Sequence, residues 1–102
     1  MNPFGYKQGE LHCGDVAIDR LADEYGTPLY IYSAAGLRGN YRACDSAFAG
    51  IDRKILFSVK ACGSLGVLKV FKEVGAGFDK VHLVSEAFVL AQFYKFCDAF
   101  VF

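Results

Sequence analysis

Ile55-Leu56-Phe57-Ser58-Val59-Lys60, running into Ala61-Cys62-Gly63-Ser64, is an apolar run closed by a lysine and a turn. Period-2 alternation over 54–60 places Leu56, Ser58 and Lys60 on one face of a strand and Ile55, Phe57 and Val59 on the other. Both faces are largely apolar, which predicts a parallel strand covered on both sides. Ser64 then stands as the cap of a helix with Val67, Val70, Phe71 and Val74 on its buried face. Gly75 ends that helix, and Gly77-Phe78-Asp79 leads into another strand. Strand, helix and strand joined by tight turns predict a right-handed βαβ unit with parallel strands. Lys60 at the end of a buried strand is costly to desolvate unless something uses it. Burial lowers an amine's pKa and frees its lone pair for attack on a carbonyl, the first step of Schiff-base chemistry. For a lone lysine, the default reading is an edge residue reaching out to solvent.

Upstream of this stretch the pattern also alternates helix and strand. Asp15 is placed to cap a helix whose apolar residues Ile18, Leu21, Ala22 and Tyr25 follow the i, i+3, i+4, i+7 rule, with Gly26 and Pro28 ending it. Leu29-Tyr30-Ile31-Tyr32 reads as a short strand. Ser33 caps the next helix, whose stripe is Leu37, Tyr41, Cys44 and Phe48. Gly36 and Gly39 weaken it, each by about 1 kcal/mol against Ala. Beyond Lys80 the punctuation fades, and the aromatic-rich stretch 81–102 fits neither period.

The chain has 102 residues, enough for a small domain or a piece of a larger one. Over half of it is apolar (54%), which argues against intrinsic disorder. Formal net charge is zero and no basic stripe is visible, so nucleic acid is not an expected partner. Cys13, Cys44, Cys62 and Cys97 are scattered, and neither His12 nor His82 has a second ligand at finger-like spacing. No metal site is therefore expected, and reduced thiols in a cytoplasm fit best. The first residues lack the apolar core of a signal peptide, and Ala87 to Ala91 is too short to span a bilayer. Gly75-x-Gly77 lacks a third glycine, and Gly63-Ser64-Leu65-Gly66 lacks the Gly-Lys-Ser/Thr end of a phosphate loop. Both read as helix punctuation.

Several motifs, in order, carry a resemblance. Phe57-Ser58-Val59-Lys60-Ala61 resembles the lysine motif of the fold-type III pyridoxal-phosphate decarboxylases, which ends the first barrel strand. Gly9-Glu10-Leu11, the segment from Leu21 through Glu24-Tyr25-Gly26-Thr27-Pro28-Leu29-Tyr30 to Ser33, Leu37-Arg38-Gly39-Asn40-Tyr41 and Ala47-Phe48 resemble the diaminopimelate decarboxylases in particular. Val67-Leu68-Lys69 and Gly75-Ala76-Gly77-Phe78-Asp79 extend the resemblance, which covers residues 4 to 79. It implies a partial (β/α)8 barrel of the alanine racemase-like, cofactor-binding kind, represented by its N-terminal βαβ units. The implied segments are a lead-in over 1–33, the start of the barrel over 34–79 and a divergent tail over 80–102.

The resemblance further implies pyridoxal 5'-phosphate as cofactor, bound covalently by Lys60, with Asp79 at the next strand's end tuning the amine's proton. The implied reaction is decarboxylation of meso-diaminopimelate to L-lysine, by a homodimer in the full-length family. A lysine at a strand's C-terminal end is also where (β/α)8 barrels place their active sites. An ordinary strand-end turn residue is the competing reading of Asp79. Cys62 stands where the family has Asn, and Lys80-Val81-His82-Leu83-Val84-Ser85-Glu86 replaces a glycine-containing run. The family's phosphate site, ring-nitrogen acid and substrate-binding residues lie beyond the position of Asp79. These departures leave three expectations to weigh: an incomplete or frame-shifted decarboxylase-like chain, another fold-type III enzyme such as a racemase or polyamine-pathway decarboxylase, or a non-catalytic piece that pairs with an intact subunit.

Overall fold

Residues 2–79 and 99–101 are described by the computed structural model of the chain. They form a mixed α/β arrangement whose strands lie in three small sheets. The first was not legible from the alternation of helix and strand. β1 (Phe4–Lys7), β2 (Glu10–Cys13) and β3 (Val16–Ala17) make an antiparallel meander with Phe4 opposite Cys13 and Cys13 opposite Val16. Its turns explain the pairing. Gln8 and Gly9 both have positive φ (52° and 85°), as a type I′ hairpin turn requires, while Gly14 at 60° opens the second turn, as glycine does in type II′.

β3 runs directly into α1 (Ile18–Tyr25). Asp15, expected to cap this helix, does not. The N-cap position is Ala17, without a side-chain cap, and Asp15 instead pairs with Lys7 across the meander at 2.8 Å. The helix ends at Gly26 as expected, at a φ of 80°. Leu21 and Cys13 form a core with Phe4, Val16, Ile18, Leu29 and Ile31 packed around them, so Cys13 is a core residue.

β4 (Ile31–Ser33) begins two residues later than the expected strand and pairs antiparallel with β7 (Ala99–Val101). The rest of the 80–102 tail lies outside the described residues. Ser33 caps α2 (Ala34–Ala47) as the sequence predicts, its Oγ accepting the Gly36 N–H at 3.1 Å. The expected stripe on α2 is only half right. Leu37 and Tyr41 are partly buried, but Cys44 and Phe48 face solvent, because α3 covers only the first turns of the helix through Ala34 and Leu37.

The βαβ unit is present. β5 (Leu56–Phe57) pairs in parallel with β6 (Gly77–Phe78), and α3 (Leu65–Glu73) connects them. Val67 and Val70 are fully buried on α3, and Phe71 stacks on Phe57 with ring centroids 4.2 Å apart. Val70 and Ala34 form the second core cluster, with Tyr32 and Leu37 against it. Arg38 on α2 meets Glu73 on α3 at 3.1 Å, a half-exposed pair that adds little. Ser64 holds the N-cap position of α3, but its hydroxyl makes no capping bond there.

Among the described residues no helix is long and apolar enough to cross a membrane, and no cluster of His, Cys, Asp and Glu could hold a metal ion. Val70→Ala removes two methyl groups from a site with no exposed surface. It is expected to lower stability by about 2 kcal/mol. Phe48→Ala, at an exposed position, is expected to stay within about 0.5 kcal/mol. Urea unfolding followed by circular dichroism measures both.

Candidate active-site turn

The strand at β5 is shorter than alternation predicts. It stops at Phe57, and Val59–Ala61 forms a single 3-10 turn closed by Ala61 N–H to Ser58 C=O (3.0 Å) and Cys62 N–H to Val59 C=O (3.1 Å). Lys60 sits in this turn and is exposed. The expectation of a buried lysine sharing a strand face with Leu56 and Ser58 is therefore corrected. The turn breaks the alternation before Lys60, and the Leu56 side of the strand is open, with Leu56 56% exposed.

The cause of the early stop lies across the sheet. The Asp79 N–H continues the parallel ladder by donating to Phe57 C=O at 3.2 Å. The Asp79 carboxylate then takes both donors of the next residues. Ser58 Oγ donates to Oδ2 at 2.8 Å, and Val59 N–H donates to Oδ1 at 3.3 Å. With its N–H drawn onto a side chain, Val59 leaves the ladder and the chain turns. A Cβ at Gly77 would meet only the far end of the exposed Leu56 side chain, which is free to turn away.

Asp79 thus reaches the residues on the N-terminal side of Lys60, and among the described residues no ion pair joins the two. Ser58 and Val59 were not singled out in the sequence as partners of Asp79. Nothing local marks them, because the contacts span 21 and 20 residues.

On the C-terminal side of the turn, Cys62 meets Tyr32 of β4. A hydrogen bond to Cys62 holds the Tyr32 phenol above the usual tyrosine range, with the charge of the same group and burial acting in the same direction. The geometry ties the turn to β6 through Asp79.

No family model matches the chain. It is 44% identical over 81 residues to a protein of Haemophilus influenzae named diaminopimelate decarboxylase, a match covering 79% of this chain and 20% of that one. A Pseudomonas aeruginosa protein of the same name is 46% identical over 81 residues, with the same coverage. The chain is a partial relative of the diaminopimelate decarboxylases. It spans about a fifth of the length of the curated relatives it matches. The diaminopimelate decarboxylase of Vibrio cholerae is 39% identical over 92 residues, or 89% of this chain. That match is longer than the 79 residues preceding Lys80, so similarity to the diaminopimelate decarboxylases runs on into the tail.

The Tyr32–Cys62 contact has a titration signature. Because the folded chain favours the protonated phenol, its contribution to stability is present below the ordinary tyrosine pKa and is lost as pH rises through the raised value. Cys62→Ala is expected to bring Tyr32 back towards the ordinary value. Carbon-13 NMR of labelled tyrosine side chains, followed against pH, checks this.

Proposed function

We propose that this chain carries the cofactor-attaching segment of a pyridoxal-phosphate-dependent decarboxylase acting on diaminopimelate, and that β5–α3–β6 is an opening βαβ unit of a (β/α)8 barrel. The observation that carries the reading is the position of Lys60. It follows a parallel strand at its C-terminal end, beside Asp79 at the same end of the neighbouring strand, in a segment similar to several diaminopimelate decarboxylases. In barrel enzymes this end of the strands holds the chemistry.

The residues present fit one part of that cofactor. An exposed lysine amine with no ion pair among the described residues can reach an aldehyde carbon. No phosphate-binding loop and no acid for the ring nitrogen is assigned among the described residues. When bound, the cofactor supplies an electron sink for the carbanion left as carbon dioxide departs. The chain's own part is to present the Lys60 amine from a fixed turn, and to keep a carboxylate, Asp79, beside that turn. The proposed substrate is an amino acid, and the proposed working form is a homodimer in the cytoplasm, a reducing compartment that suits the exposed thiol of Cys44.

A second reading is favoured by a different observation. Among the described residues β5 and β6 form a two-stranded sheet with Leu56 and Phe78 exposed, and such edges invite a further strand. On that reading the chain is a non-catalytic piece that pairs with an intact subunit.

Reductive trapping separates the two. The chain is incubated with pyridoxal phosphate, reduced with borohydride and mapped by mass spectrometry. Adduct concentrated on Lys60, well above Lys54 and lost in Lys60→Ala, is the expected outcome. Adduct spread evenly over the exposed lysines sinks the cofactor-attaching role and leaves the pairing piece.

A further inference from the structure

We propose that Asp79 is a positioning residue for Lys60, acting through the backbone of the turn and not through the amine. The proposal rests on the cofactor-attaching role of Lys60 given above and says how that lysine is held in place.

The geometry is that of a cap supplied from a distance. The first N–H groups of a helical turn have no acceptor within the turn. Ser58 occupies the N-cap position, where a serine side chain ordinarily accepts the second or third N–H of the turn, yet it makes no capping bond. Its hydroxyl donates to Asp79 Oδ2 at 2.8 Å instead, and the Val59 N–H goes to Asp79 Oδ1 at 3.3 Å. One carboxylate therefore takes the first N–H of the turn, which an N-cap side chain does not serve, and also holds the Ser58 hydroxyl. The Ser58 bond has a carboxylate acceptor, which makes it charge-assisted.

Lys60 is the next residue along, in a turn closed by the bonds to Ser58 C=O and Val59 C=O. Fixing Ser58 and Val59 fixes the direction in which the Lys60 side chain leaves the backbone. The Asp79 N–H bond to Phe57 C=O anchors the carboxylate's own backbone in the ladder. The turn is thereby referenced to the sheet, and orientation of a nucleophile relative to a scaffold is what proximity effects depend on.

The distinction from direct tuning of the amine is chemical. Asp79→Asn keeps an oxygen to accept the Val59 N–H and gains an N–H₂ that can donate to Ser58 Oγ, so it preserves the tether while removing the charge. Asp79→Ala removes both. Two readouts are needed. Amide hydrogen exchange at Val59 reports the tether without any cofactor, with the Val70 amide as the control for folding. Borohydride trapping with pyridoxal phosphate, as a function of pH, reports the share of adduct on Lys60 against Lys54.

In Asp79→Ala, Val59 exchange is expected to speed up about tenfold, the size of one charge-assisted bond, while Val70 stays protected and Lys60 loses its advantage over Lys54. Asp79→Asn is expected to keep Val59 protected and to keep both the Lys60 share and its pH midpoint. Unchanged Val59 exchange in Asp79→Ala overturns the proposal. So does an Asp79→Asn chain in which Val59 stays protected while the Lys60 pH midpoint moves, since the carboxylate then acts by charge. Should Asp79→Ala also lose Val70 protection, Ser58→Ala decides: it removes the shorter bond alone and is expected to speed Val59 exchange and lower the Lys60 share, and no change in either overturns the proposal. Loss of Val59 protection in Asp79→Ala, in a chain whose unsubstituted form never favours Lys60, leaves the tether standing and overturns the cofactor role instead.

Discussion

Parallel strands cannot be joined by a tight turn, so the pairing of β5 with β6 depends on a crossover that folds back onto the strands. Here α3 supplies it. Phe71 stacks on Phe57, the strand residue nearest the turn, while Val67 and Val70 bury completely on the same helix. A two-stranded sheet of this length has little stability of its own. The Phe57–Phe71 contact therefore does more than fill space, because it fixes the strand whose last carbonyl accepts the Asp79 N–H. Without that register, the carboxylate would not meet Ser58 and Val59. The site is downstream of the core in a literal, bond-by-bond sense.

The same dependence decides what could be read in the sequence. The helices were legible because 3.6-residue periodicity is local, although Tyr25, Cys44 and Phe48 of the expected stripes are exposed, and because Ser33 caps α2 through a bond that spans only three residues. The βαβ order was legible for the same reason. The meander over 4–17 was not. Its strands are four residues or fewer, too short for alternation to stand out, although Gln8-Gly9 and Gly14-Asp15 are recognisable hairpin turns once the pairing is known. Asp15 shows how a cap can be misassigned. Its carboxylate is drawn to Lys7 across the hairpin, a partner that exists only if the meander forms, and the Lys7 hydrogen bond and charge lower its pKa.

Lys60 was found by its neighbours and misplaced by its period. Alternation carried through Val59 makes it a buried strand residue, and the motif around it marks it as chemically interesting. The strand nevertheless ends at Phe57, because the next N–H finds a carboxylate 20 residues away in place of a ladder carbonyl. No period of 2 or 3.6 encodes that contact. The residue that ends the strand was identified from the sequence, since Asp79 was expected at the end of the neighbouring strand. What could not be seen is that it binds the backbone before the lysine and so creates the turn on which the lysine stands.

An exposed amine differs from a buried one in what the protein must provide. Burial makes a lysine reactive by making its charge costly, and the surroundings do the activation. Among exposed lysines, selectivity comes from placement. Lys54 and Lys60 are both exposed and lie at opposite ends of the same short strand, which makes them a natural contrast. Lys54 precedes β5 and lies outside the turn. Lys60 stands in a turn tied to β6 by Asp79. If Lys60 serves as the attachment point, the difference between the two amines lies in that tether. On the proposed attachment role, ordinary hydrogen bonds are the first step in setting one lysine apart.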